Sequence, residues 1–146
     1  MRILIIEDEQ TMAHIYRNKF LVDGFEVEIA FDGEAGFETA KTFRPDAIVL
    51  DLILPGISGI ELIKKIRAEP GFQKTPIIVF SNTYLTQMIQ DAWKAGASKC
   101  LSKANCTPKQ VIDLVRSAVE NKGSAAAAGS SPAAKVLDMT SRGSCA

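Results

Sequence analysis

Residues 47–56 read Ala47-Ile48-Val49-Leu50-Asp51-Leu52-Ile53-Leu54-Pro55-Gly56: four unbroken apolar residues, an acid, and a segment closing on Pro-Gly. A continuous run of this kind predicts a strand covered on both faces, which is the condition of a parallel sheet flanked by helices. Outward from it, residues 3–6 and 77–80 repeat the pattern, and residues 26–30 and 98–101 give more polar versions, with amphipathic stretches between them. The alternation predicts five βα units over residues 2–121, closing into a doubly wound α/β sheet with helices on both faces. The polar second and fifth strands belong nearer the edges.

Helix boundaries carry their own signals. Leu85, Met88, Ile89, Ala92 and Trp93 match the spacing of one buried helical stripe. Ser58 and Glu61 read as a capping box, and Thr107-Pro108-Lys109-Gln110 combines a cap, Pro at the first helical position and a reciprocal Gln. Gly24, Gly71 and Gly96 punctuate the ends of the first, third and fourth helical patterns, and Pro45 and Pro76 precede strands. After residue 122 the composition shifts. Sixteen of the 24 residues from 123 to 146 are Ala, Gly, Ser or Pro, so a core domain over 1–122 and a flexible tail or linker over 123–146 are expected.

Composition removes several classes of function. Seventeen basic residues balance seventeen acidic ones in 146 residues, with no basic block, so direct nucleic-acid binding is disfavoured. Apolar runs fall far short of a bilayer span and no signal peptide is visible, which argues against membrane insertion. Cys100, Cys106 and Cys145 lack CxxC spacing, and His14 is the sole histidine. A cytoplasmic protein without a zinc site or a histidine-based triad is expected, with His14 a surface or partly packed side chain.

Chemistry should lie outside the carboxyl ends of the strands. There the sequence puts Glu7-Asp8 after strand one, Asp51 after strand three, Ser81 after strand four and Ser102-Lys103 after strand five. Close carboxylates repel by about 4 kcal/mol per pair at an effective dielectric of 20. Lys103 compensates one charge, and the remaining deficit suits Mg²⁺, a hard ion held by a few carboxylates and water. Asp51 is expected to stand exposed at the sheet edge as a nucleophile toward phosphorus, with Lys103 and Ser81 contacting the transferred group.

These residues together resemble the receiver domain of two-component response regulators, of the chemotaxis type. The resemblance rests on Ile3-Leu4-Ile5-Ile6-Glu7-Asp8-Glu9, on the stretch from Pro45 through Asp51 to Gly59, on Thr75-Pro76-Ile77-Ile78-Val79-Phe80-Ser81, and on Gly96-Ala97 leading to Lys103. It implies a flavodoxin-like sheet of order 2-1-3-4-5. It implies phosphoryl transfer to Asp51 from the phosphohistidine of a sensor histidine kinase or a histidine phosphotransfer protein, and a downstream effector protein as the other partner. Mg²⁺ would be held by Asp8, Asp51 and the backbone carbonyl of Ile53, with Glu7 acting mainly through water. On this reading the protein is a phosphoacceptor signalling domain that catalyses its own phosphotransfer and dephosphorylation, not an enzyme acting on a separate substrate.

The chain departs from the family pattern at three positions. Asn82 replaces the usual small residue after the hydroxyl, so slower or more selective phosphotransfer is expected. Ala104 replaces the usual Pro after the lysine; a cis bond there would cost about 2.5–4 kcal/mol, so a trans peptide and a small displacement of Lys103 are expected. Cys100 replaces an aromatic that swings inward on activation, and reads as a small half-buried filler rather than a redox sensor. The competing readings are a pseudo-receiver used as a docking scaffold, an aspartate-nucleophile phosphatase, which lacks its second acid because Ile53 stands there, and a flavodoxin relative, which Asp8 disfavours.

Overall fold

The computed structural model describes residues 1–82, 86–104 and 106–120. Along them run β1 (Arg2–Ile6), α1 (Gln10–Val22), β2 (Glu26–Ala30), α2 (Gly33–Phe43), β3 (Ala47–Leu50), α3 (Gly59–Ala68), β4 (Ile77–Ser81), α4 (Thr86–Ala95), β5 (Lys99–Ser102) and α5 (Pro108–Glu120). The five strands form one sheet in the order β2-β1-β3-β4-β5, and all four pairings are parallel. The polar strands β2 and β5 stand at the edges.

Side chains alternate along each strand, so each strand serves two cores. Leu4, Ile6, Ile48, Leu50, Ile77 and Val79 face α2, α3 and α4, which contribute Ala40, Leu62, Ile63, Ile66 and Ala92. Ile3, Ile5, Ala47, Val49, Ile78 and Phe80 face α1 and α5, which contribute Tyr16, Phe20, Val111, Ile112 and Val115. Each fully buried aliphatic side chain is worth about 1.5–3 kcal/mol, so the two-sided burial of β1, β3 and β4 is what holds them at the centre.

The expected caps form. Ser58 Oγ accepts from Glu61 N at 3.2 Å, and Thr107 and Gln110 cap each other through both of their backbone N–H groups. Met88, Ile89 and Trp93 pack beside buried Ala92, while Leu85 of the same predicted stripe lies outside the described residues. So do Thr83, Tyr84 and the tail from 123 to 146.

Three strands differ at their boundaries from the sequence reading, and β1 begins at Arg2 rather than at residue 3. Ser81 and Ser102 lie within β4 and β5, paired with each other, because Lys103 N donates to Ser81 O and carries the ladder one step further. Ser98 stays outside β5; its hydroxyl accepts from Ile77 N at 3.1 Å.

Cys100 also corrects an expectation. It is 3% exposed, fully buried rather than half-buried, because it pairs with Val79 and faces the core beneath α4. Burial pushes its thiol up from 9.0 to about 12. The folded protein therefore keeps a proton that the unfolded chain releases, and this contribution to stability falls as pH rises above about 9. Cys100 should resist alkylation by iodoacetamide at pH 8 until the chain unfolds, read by peptide mass; rapid modification of native protein would contradict this burial.

Candidate functional site

The three acids reach the sheet edge because the ladder continues past the strands. Glu7 N donates to Ala30 O at 3.0 Å and Asp51 N to Ile6 O at 3.1 Å, which fixes both backbones immediately above the row Ala30, Ile6, Leu50, Val79, Cys100. After Asp51 the chain turns tightly and returns at Gly59, whose N–H donates to Leu52 O at 2.8 Å. A Cβ at Gly59 would stand 2.5 Å from Asp51 O, closer than any side chain tolerates, so this glycine is what lets α3 start beside the acid.

Asp51 is 8% exposed, buried rather than exposed as the sequence suggested, because three donors converge on it. Ser81 Oγ donates to Oδ1 at 2.8 Å, Ile53 N donates to the same oxygen at 3.2 Å, and Lys103 Nζ donates to Oδ2 at 2.9 Å. Lys103 therefore reaches the acid although Ala104 follows it, and all described peptide bonds are trans. Ala104 N donates to Ser102 Oγ at 3.3 Å, a hydroxyl brace where a proline would have set the turn.

Lys103 also pairs directly with Glu7 Oε1, a contact that the sequence reading missed by giving Glu7 a role through water. The signal was the Glu itself, one methylene longer than Asp and able to reach further. Glu9 N donates to the other oxygen of Glu7 at 3.2 Å. Burial pushes the Glu7 carboxyl above its ordinary 4.5, with the Lys103 hydrogen bond pulling the other way. Burial works to lower the Lys103 ammonium, but hydrogen bonds to Glu7 and Asp51 outweigh it and hold it above its ordinary range.

Asp8 remains exposed, and one carboxylate oxygen each of Glu7, Asp8 and Asp51 lie within 4.8 Å of one another. An all-oxygen donor set open to water on the Asp8 side fits a hard divalent ion. Ile53 stands at the rim, 61% exposed. Behind the acids, Met12, Tyr16 and Phe80 line a small apolar cavity that reaches Glu7 and Asp51. His14 stands clear of this group, stacked obliquely near Phe31.

The sequence profile of the response regulator receiver domain matches residues 3–116. The chain belongs to this family. Receiver domains are signalling domains of two-component systems, and the family binds Mg²⁺ in an acidic pocket such as Glu7, Asp8 and Asp51 form here. Among curated relatives, the response regulator ArlR of Staphylococcus haemolyticus is 41% identical over 85 residues, covering 56% of this chain and 37% of the relative. ArlR of Staphylococcus aureus is 40% identical over 86 residues, 57% of this chain and 38% of that protein. The chain thus spans less than two fifths of the length of these relatives.

Solved structures agree on the receiver. The receiver domain of the Francisella response regulator 1452 superposes with a TM-score of 0.74 at 27% identity, over 82% of this chain and 97% of that one. A response regulator from Chloroflexus aurantiacus gives 0.75 at 28%, with the same coverage. A CheY-like receiver from Methanospirillum hungatei gives 0.79 at 20% identity, over 84% of this chain and 96% of that one, a likeness of fold alone.

Proposed function

We propose that this receiver accepts a phosphoryl group on Asp51 and uses the modified state to change its binding to a downstream effector protein. The observation that carries the reading is the convergence of Lys103, Ser81 and the Ile53 N–H on one buried carboxylate. The Asp51 carboxylate supplies an oxygen nucleophile and needs no separate base. In an in-line displacement its carboxylate oxygen forms the new O–P bond while the bond to the donor's nitrogen breaks and the electron pair leaves with the donor. Lys103 and Ser81 would release Asp51 and bind the oxygens of the arriving group, keeping a cation and a hydroxyl where charge accumulates.

Asp8, Asp51 and the backbone carbonyl of Ile53 would hold Mg²⁺, with Glu7 assisting. The ion would supply charge neutralisation on the transferred group. The donor is a sensor histidine kinase or a histidine phosphotransfer protein, in keeping with ArlR-type relatives that are themselves response regulators. Among the described residues no helix is long and apolar enough to cross a membrane, in keeping with cytoplasmic action. Residues 1–122 would form the receiver and 123–146 a tail or linker.

The test is intact mass after acetyl phosphate. With Mg²⁺ the chain should gain one phosphoryl group, and Asp8→Ala should lose most of both the labelling and the Mg²⁺ affinity, since few protein ligands remain. An unlabelled wild-type chain would instead support the docking scaffold.

A further inference from the structure

Cys106 stands in the turn between β5 and α5, three residues after Lys103, and belongs to the core beneath α1 and α5 at 9% exposure. The turn is pinned on both sides: Ala104 N donates to Ser102 Oγ, and the Thr107–Gln110 cap fixes the start of α5. The sulfur of Cys106 is engaged in a disulfide. The chain has three cysteines, and Cys100 is a free thiol in the other core, on the opposite face of the sheet. Cys145 is the cysteine that remains.

The length of chain between them suits such a bond. The 13 residues of α5 carry the backbone about 20 Å away from the Lys103 edge, toward Asp23 at the end of α1, to whose carbonyl Arg116 donates at 3.2 Å. The 25 residues from 121 to 145 are rich in Ala, Gly and Ser, and a coil of that length and composition averages roughly 28 Å end to end. That matches the return distance, the condition under which closure within one chain is most favoured. We propose that Cys106 and Cys145 form a reversible disulfide, which straps residues 121–145 back to the pocket edge of the sheet under oxidation and releases them under reduction. In the reducing compartment proposed above, such a bond is redox-responsive rather than a permanent staple. Glutathione disulfide serves as the oxidant. One cysteine thiolate attacks its S–S bond and expels a glutathione thiolate; the other attacks the protein sulfur of the mixed disulfide and expels the second. The two cysteine protons pass to the two glutathione thiolates, and the two electrons end on glutathione.

The test equilibrates the full chain with glutathione at stepped ratios of disulfide to thiol, blocks remaining thiols by alkylation, and reads intact mass and a non-reducing tryptic map. The oxidised chain should be a monomer with one blocked cysteine, Cys100, captured after unfolding. Its map should join peptide 104–109 to peptide 143–146, a link that dithiothreitol removes. Tenfold dilution of the protein should leave the oxidised fraction unchanged, because the bond closes within one chain. Cys145→Ser alters no residue of the Cys106 turn and should lose the link at every ratio. Disulfide-joined dimers, cysteines that only take up glutathione or stay reduced, or an internal disulfide persisting in Cys145→Ser would each overturn the strap.

Discussion

Asp51→Asn should abolish labelling by acetyl phosphate altogether, leaving only background mass in the presence of Mg²⁺. The amide offers no anionic oxygen to attack phosphorus, and no other acid of the pocket is engaged by both Lys103 and Ser81: Glu7 takes the lysine alone, and Asp8 stands exposed. The fold should survive. Asn has the same shape, its carbonyl oxygen can still accept from Ser81 and Ile53 N, and stability should shift by no more than about 1 kcal/mol. Chemical unfolding alongside the mass measurement separates loss of chemistry from loss of structure. Full, acid-stable labelling of a folded Asp51→Asn chain would place the acceptor elsewhere, with a hydroxyl such as Ser81 the first to examine.

The largest effect on stability is expected at the opposite end of the sheet, at Arg67. Its guanidinium donates to the backbone carbonyls of Phe72 and Thr75, each at 2.7 Å, and through two nitrogens to Gly96 O at 3.0 and 2.7 Å. One side chain on α3 therefore ties the end of α4, the approach to β4 and the loop after α3. Gly96 has φ +122° and a Cβ there would meet the Arg67 stem at 2.8 Å, so the glycine both permits the turn and admits the arginine. Burial lowers the guanidinium's pKa from its ordinary value, and its hydrogen-bond partners are carbonyls and the Ser98 hydroxyl. Arg67→Met keeps the apolar stem and leaves three carbonyls short of a donor, at about 1 kcal/mol or more each. The variant should lose about 3 kcal/mol, or roughly 10 °C in melting temperature for a domain of this size. An unchanged melting temperature would mean that water replaces the guanidinium without cost. Phosphoryl labelling at low temperature should persist, since Arg67 touches none of the acids.

Much of the architecture was legible because each strand and helix announces itself locally. The run from Ala47 to Leu50 needs burial on both faces, and in the structure it has it; the polar pattern of β2 and β5 marks them as edges; Ser58, Thr107 and the glycines at 24, 71 and 96 set helix boundaries by backbone chemistry that neighbours in sequence decide. The candidate acids were legible for the same reason: they directly follow strands, and a parallel sheet brings all such positions to one edge. What the sequence by itself determined, then, is the fold, its edge strands and the set of polar groups gathered above it.

The tertiary structure decided how those groups are shared. Asp51 is buried because donors from β4, from the loop after β3 and from the turn after β5 close over it, and burial by distant segments leaves no local pattern. Cys100 is fully buried because its neighbour across the ladder is Val79 and α4 lies above it. Arg67 looks like an ordinary basic residue in the last turn of a helix, and only the packing of α3 against α4 reveals that it holds three carbonyls. Lys103 could be paired with the acids as a class, but its division between Glu7 and Asp51 depends on side-chain reach across three strands. Proximity of that kind is a property of the assembled sheet, where residues 7, 51 and 103 become neighbours.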